Sequence, residues 1–352
     1  MYDRNLPWTA AVTSNNRMFT SPDPTAIRIV QTEFTQKKVY MLTIVMYHYV
    51  RDLTRSRYPA IKARDTAKFA GQLDYIAKHY VVVSLAEVYA AIRGEKTLPQ
   101  NACVLSFDDG FIDHYITVFP RLQQRGWTGC FFPAALPAFE HAVLDVHKIH
   151  FILAATKEPQ CLVRRVFELL TPYRGDHDLP ADEVLYEKLA KPSRFDPAEI
   201  VFLKSVLQRD LPEVVRTEIV DTLFCECVSE HETAFAKELY MDIEQMQLMA
   251  RLGMEFGGHG FKHIWLTSLS EEEQTEEINK SLELLRLIYQ RPVREWAISY
   301  PYGDYNQVTV KLLLRYNCML GLTTVVGLVP TLSSPFELAR LDTNDLPCSN
   351  ET

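Results

Sequence analysis

Apolar residues follow two different rhythms along this chain. From residue 41 to about 135, short apolar runs alternate with stretches whose apolar positions recur every three or four residues. Met41–Val50 and Ala102–Phe107 read as buried strands, Trp127–Phe132 as another, and Val81–Val83 as a shorter one. Between them, Asp65–Lys78 places Phe69, Leu73, Ile76 and Ala77 at helical spacing. Ser84 with Glu87 three residues later forms a capping box that opens a helix ending near Gly94. Phe111–Arg125 is helical and stops at Gly126. Alternation of this kind predicts a parallel sheet or barrel clad in helices.

The rhythm breaks between 141 and 238. His141–Ala155, Gln160–Leu170, Val184–Leu189, Pro197–Leu207 and Pro212–Cys225 are helical patterns with no strand among them. This region is predicted to be a helical insertion. Alternation then resumes: a helix over Asp242–Leu252, a strand over Met254–Phe256, and a long helix to Tyr289 opened by the capping box of Ser270 and Glu273. A strand over Trp296–Ser299, a helix over Asn306–Tyr316 and a strand over Cys318–Leu322 complete the pattern. The expected organisation is an N-terminal arm at 1–40, a first half of the barrel at 41–140, the insertion at 141–238 and a second half at 239–352.

Composition narrows the class. The chain has 352 residues, 47% of them apolar and 23% charged, enough for a full-sized core. A formal charge of -8 gives it no bulk basic footprint for nucleic acid. Seven cysteines form an odd, scattered set, which suggests a reducing compartment. No apolar run reaches a membrane span, and the first residues lack the features of a secretory signal. A cytoplasmic enzyme is the expectation.

Three short segments carry candidate chemistry. Leu105-Ser-Phe-Asp-Asp-Gly110 puts Asp108 and Asp109 at the end of a strand, where barrels place catalytic groups, although Asp-Gly also makes ordinary turns. Gly257-Gly-His-Gly-Phe-Lys-His263 holds His259 and His263 four apart in a glycine-rich loop; they form a metal-ligand pair or are plain polar loop residues. Ile298-Ser-Tyr-Pro-Tyr-Gly-Asp304 ends a further strand with an aromatic turn that has a purely structural reading of its own. One Asp with two His makes three zinc-type ligands and leaves a place for water, and the adjacent acid is a ready base.

Taken in order, Ser-Phe-Asp-Asp-Gly, His-Gly-Phe-Lys-His and Tyr-Pro-Tyr-Gly resemble the motifs of the polysaccharide deacetylase family with its NodB-homology domain. Glu255-Phe-Gly-Gly before the histidines resembles the family's lead-in. The resemblance covers about 41–135 and 240–325. It implies a distorted (β/α) barrel, here with a helical insertion, that hydrolyses acetyl groups from sugars with a divalent metal, most often Zn2+. It also implies that Asp109, His259 and His263 hold the metal and that Asp108 is the catalytic base. The Tyr302 N–H would then steady the oxyanion, with Tyr300, Pro301 and Tyr302 on the substrate side.

The chain departs from the family pattern in two places. It has no histidine after His263, and Ser299 stands where the third motif has arginine. Tyr47-His48-Tyr49 resembles a branch that takes its acid from the first strand, so His48 is assigned as catalytic acid; a capping or core-edge histidine is its other reading. Arg340, grouped with the substrate-binding residues, is the candidate to replace the arginine by orienting Asp108, and Asp342 to support the site, though a surface ion pair explains both equally well. His147 and His150, three apart at a helix start, suit a second metal site or a wall for the acceptor; His79, His114, His141, His177 and His231 read as surface positions.

The expected function is a metal-dependent sugar N-deacetylase acting on a nucleotide-linked or lipid-linked precursor of a surface polysaccharide such as O-antigen or capsule. A deformylase or cyclic-amide hydrolase on the same site, or a non-catalytic carbohydrate-binding or assembly protein, are the alternatives.

Overall fold

The computed structural model describes residues 41–193 and 196–348. The expected arm at 1–40 lies outside the described residues. The first half of the barrel runs through β1 (Leu42–Tyr47), α1 (Thr66–His79), β2 (Val81–Val82), α2 (Leu85–Ile92), β3 (Ala102–Asp108), α3 (Phe119–Gln124), β4 (Cys130–Phe132) and α4 (Ala135–Glu140). Six helices follow: α5 (Asp145–Ala155), α6 (Pro159–Leu170), α7 (Asp182–Leu189), α8 (Ala198–Ser205), α9 (Glu213–Cys227) and α10 (Glu232–Leu239). The second half is α11 (Ile243–Arg251), β5 (Glu255–Phe256), α12 (Glu271–Tyr289), β6 (Trp296–Ser299), α13 (Gln307–Arg315), β7 (Cys318–Val326) and β8 (Leu338–Asp342). Among the described residues no helix is long and apolar enough to cross a membrane.

The sheet order is β5-β4-β3-β1-β8-β7-β6, with β2 beside the start of β3, and every pairing is parallel. Its two ends meet at a single residue. Gly258 N–H donates to the Ala297 carbonyl at 2.9 Å, and Ser299 N–H donates to the Gly258 carbonyl at 3.0 Å, so the parallel strands form a nearly closed barrel. A Cβ on Gly257 would lie 2.4 Å from the Phe132 ring, and one on Gly258 would lie 2.9 Å from the Trp296 ring. The seam closes because both positions lack a side chain.

Period-two alternation sorts the strands into two faces. Ile44, Val104, Cys130, Phe132, Ala297, Leu320, Leu322 and Leu338 share one apolar cluster. Val45, Tyr47, Leu105, Phe107, Phe131 and Ile298 pack instead against Phe69, Leu73, Ile278 and Leu285 of the helices. Continuing the inner face of β3 past Ala102 and Val104 gives Ser106 and Asp108. The inner face of β6 continues from Ala297 to Ser299, and that of β8 from Leu338 to Arg340. All four polar residues are buried, with relative exposure of 1% or less. They form a polar layer above the apolar interior.

The insertion has its own core. Phe202, Leu207, Val215, Ile219, Leu223 and Phe224 pack with Ile149, Phe151 and Ile152 of α5. The same cluster takes in Tyr49, Phe111 and Ala134 from the barrel, so the helices sit over the strand C-termini.

Helix starts agree with the sequence. Ser84 and Ser270 each accept from the backbone N–H three residues on, and Glu87 and Glu273 reach back. The segment expected as one helix over Phe111–Arg125 instead begins with a wider π-helical turn at His114–Val118. Two elements differ more. Glu232–Leu239 is an extra helix, and Leu338–Asp342 is an unforeseen strand.

Candidate metal centre and catalytic rim

Asp108 ends β3 in extended backbone, whereas Asp109 adopts φ +75°. That left-handed step separates two neighbouring carboxylates. His263 (φ +56°) and Tyr302 (φ +58°) also sit in this region, which side chains other than glycine rarely adopt. Strain of this kind gathers at functional sites and requires support from the surroundings.

The Asp109 carboxylate is 4% exposed and reads both ways. Its Oδ1 lies 3.3 Å from His259 Nε2 and 3.5 Å from His263 Nε2. Donor atoms of these three residues all fall within 4.8 Å of one another. His259 Nδ1 lies 2.6 Å from the Ser299 carbonyl, which can only accept, so Nδ1 carries the proton. Nε2 is therefore left for a second proton or for a cation. Asp109 Oδ1 and His259 Nε2 are both buried without a hydrogen bond. Burial, followed by the charge of His259, depresses the His263 pKa to about 3, which keeps its lone pair available. Burial pushes the Asp109 carboxyl up, but His147 and His259 outweigh it and hold the group well below the usual carboxylate range. An anionic oxygen facing two ring nitrogens fits a divalent cation with carboxylate and imidazole ligands.

The histidine loop is held from behind. Glu277 on α12 accepts from Phe261 N–H at 2.6 Å and from Lys262 N–H at 3.1 Å. Burial raises the Glu277 pKa, and the two N–H groups oppose that rise.

Asp108 is 1% exposed. Arg340 Nη1 donates to its Oδ2 at 2.7 Å, and Ser299 Oγ donates to the same oxygen at 3.0 Å. Its Oδ1 has no partner. Burial favours the neutral acid, but the Arg340 guanidinium, with His259 and His48, overrides it and lowers the pKa. Arg340 is itself pinned by the Thr323 carbonyl, 2.8 Å from Nε. It is thus not an exposed substrate ligand or a surface ion pair. It reaches Asp108 from the inside of β8, at 1% exposure. Asp342, expected to support the site, instead caps the turn at Thr343–Asp345 by accepting from Asn344 N–H.

His48 follows β1 and is half-buried. Its charge acts on both Asp108 and Asp109. Its carbonyl accepts from His114 Nε2 at 2.9 Å. His114 is fully buried, not a surface residue, and burial lowers its pKa to about 4.

The aromatic turn after β6 divides its residues. Tyr300 is 0% exposed, stacks on Tyr305 and donates to the Phe336 carbonyl, so it faces the interior and cannot line a substrate surface. Its ring fills the space left by Gly321. Pro301 is buried beneath the turn. Tyr302 stacks on Trp265 at 4.4 Å and meets His263 edge-on at 4.6 Å. These aromatics open on a cavity of about 160 Å³, lined on the insertion side by Asp145, Arg209 and Arg216.

Sequence reasoning missed several participants. His147, on α5, lies 3.2 Å from Asp109 Oδ2 and is 1% exposed. Its spacing from His150 suggested a separate metal site or an acceptor wall, whereas it faces the Asp109 carboxylate from among the buried Val146, Ile149, Phe151 and Ile152. Tyr240 and Glu277 carried no motif, and Ser299 was noted only as standing in place of an arginine. Glu255, grouped with the motif, serves elsewhere: it accepts from Leu85 and Ala86 N–H at the start of α2.

Comparison with known proteins adds to this geometry. Residues 213–320 match the family model described as polysaccharide deacetylase. That stretch contains both metal-side histidines and Tyr302. The poly-beta-1,6-N-acetyl-D-glucosamine N-deacetylase of Escherichia coli K12 is 34% identical over 91 residues, which is 25% of this chain and 13% of that protein. The deacetylase PplD of Streptococcus pyogenes, solved with acetate, superposes with a TM-score of 0.53 at 18% identity, covering 86% of this chain and 92% of that one. IcaB from Ammonifex degensii gives 0.50 at 18% identity, over 86% and 91%. The solved structures share the barrel across most of the described chain, and the family match falls on the half that carries the histidine loop. Over residues 213–320 the chain is thus similar to polysaccharide deacetylases, and its barrel is the fold that the solved deacetylases share.

Proposed function

We propose that this chain hydrolyses the N-acetyl group of an acetylated amino sugar with the aid of a divalent cation held by Asp109, His259 and His263. The observation that carries the reading is the pairing of that triad with an adjacent carboxylate whose Oδ1 is free. Zinc suits two imidazoles, one carboxylate and an open position. Such a cation supplies Lewis acidity to a water and to an acyl carbonyl.

The remaining work falls to the chain. Asp108 accepts the proton of the attacking water through Oδ1, while Arg340 and Ser299 hold the carboxylate ionised and aimed. The Tyr302 N–H donates to the acyl oxygen as it gains charge. His48 protonates the departing amine, the role given to the first strand in the Tyr-His branch. Trp265 and Tyr302 offer an apolar face to the sugar ring, and Pro301 sets the turn that presents Tyr302.

The Escherichia coli relative is named for an N-acetylglucosamine polymer, which makes a chain of such sugars the first substrate to try. A second reading is a nucleotide-linked or lipid-linked precursor, used in the cytoplasm. Acetate release should be measured on an N-acetylglucosamine oligomer, a nucleotide-linked N-acetylhexosamine and a lipid-linked one, each with and without chelator. Release that the chelator abolishes is the expected result, and the preferred substrate separates the two readings. A metal-loaded protein that frees acetate from none of them is not a deacetylase. It would then be a carbohydrate-binding protein, or a deformylase or cyclic-amide hydrolase, which formyl sugars and cyclic ureides would reveal.

A further inference from the structure

The insertion reaches the metal side of the site through one unbroken chain of polar contacts. Leu144 N–H lies 3.2 Å from the Tyr240 hydroxyl oxygen. That same hydroxyl lies 2.6 Å from His147 Nδ1. His147 Nε2 in turn lies 3.2 Å from Asp109 Oδ2. All four residues are buried.

Proton positions along this chain follow from its two ends. A backbone N–H can only donate, so the Tyr240 oxygen accepts from Leu144, which leaves its own proton available to His147 Nδ1. The imidazole then carries its proton on Nε2. At the other end, an ionised carboxylate can only accept, which demands the same arrangement. The two requirements agree on one tautomer, the Nε2–H form of a neutral ring.

We infer that His147 is a positioning residue for the metal centre: it donates from Nε2 to Asp109 Oδ2, holds that oxygen away from the metal, and leaves Oδ1 as the single ligand atom. The division is already present in the carboxylate, since Oδ1 faces His259 and His263 and Oδ2 faces His147. Outer hydrogen bonds of this type set the orientation of a ligand and its affinity for the metal. His147 lies near the start of the insertion and Tyr240 just past its end. Both junctions therefore converge on one metal ligand, and seating of the helical insertion is coupled to metal affinity.

This inference rests on the metal reading of Asp109, His259 and His263. The test uses the full chain stripped of metal and titrated with Co2+ and with Zn2+ in competition. His147→Ala is expected to raise the metal Kd by about 10–100-fold. His147→Gln, which keeps an N–H donor, should recover part of the loss, and Tyr240→Phe should fall between wild type and His147→Ala. The cobalt absorption bands should keep the position and intensity of the wild type, because no ligand is lost. Unchanged affinity in all three variants overturns the inference. Loss of one imidazole at the zinc edge in X-ray absorption of His147→Gln also overturns it, since His147 would then be a ligand. Should His147→Ala fail to fold, Tyr240→Phe and His147→Gln carry the same comparison. A wild-type chain that binds neither ion overturns the metal reading as well, whereas normal wild-type binding with silent variants removes only this inference.

Discussion

Asp108 and Asp109 are consecutive residues held by different halves of the molecule. The barrel alone fixes Asp108: Ser299 on β6 and Arg340 on β8 both bind Oδ2, from strands that share an inner face with β3. Asp109 is shared, with one oxygen toward the histidine loop and the other toward His147 of the insertion. On the proposed reading the first is the base, with a free oxygen. The second is a metal ligand whose setting depends on helices outside the barrel. Two carboxylates with opposite duties are kept apart by one left-handed residue and by separate supports.

The largest effect expected from breaking this pair is chemical. Asp108→Asn should lower acetate release by about 10²–10⁴-fold, the contribution typical of a positioned base, while metal content stays at the wild-type level. Asp109→Ala should lose the metal itself, as read by elemental analysis. If Asp108→Asn strips the metal too, the division of duties is wrong.

Next comes the support of Asp108. Arg340→Met leaves a buried carboxylate without its cation and should destabilise the fold by about 3–5 kcal/mol in urea unfolding. Adding Asp108→Asn to it should restore a large part of that loss, because the unpaired charge is then gone. On the Asp109 side, Glu277→Gln weakens the two backbone bonds that shape the histidine loop. A loss of about 1–3 kcal/mol is expected, with faster hydrogen exchange at Phe261 and Lys262.

The smallest test concerns pH. His114 is buried neutral, its pKa lowered to about 4 in the fold against about 6.5 unfolded. The unfolded chain binds the extra proton first as pH falls. Stability from this group is therefore full above pH 6.5 and is lost as pH falls toward 4, by up to about 1.4 kcal/mol per unit. His114→Gln, which retains a donor for the His48 carbonyl, should flatten that slope in urea midpoints measured across the window.

The barrel side of the comparison was legible in sequence wherever local chemistry repeats. Capping boxes at Ser84 and Ser270, the apolar run ending at Asp108 and the strand Trp296–Ser299 each declare themselves within a few residues. Arg340 was named as the residue to orient Asp108, which it does, but its strand was not foreseen, because it turns a cation toward the barrel interior and so lacks the apolar alternation of a half-buried strand. Only Asp108, far away in sequence, makes that placement tolerable. The role of His147 was hidden for the same reason: its spacing pointed to His150, while its partners lie at 109 and 240. Tyr300 and Tyr302 are two residues apart and alike in type, yet Gly321 opens a slot for one ring while a left-handed turn swings the other toward His263. Long-range partners decide all three cases, and spacing along the chain does not record them.

The left-handed backbone at Asp109, His263 and Tyr302 sets fold and chemistry against each other. Glycine adopts that conformation freely, so each of these residues holds the chain in a shape its side chain resists. Selection for robustness alone would replace them. Asp109→Gly would relax the backbone only by giving up the carboxylate that faces three histidines, so the less strained chain would be the inert one.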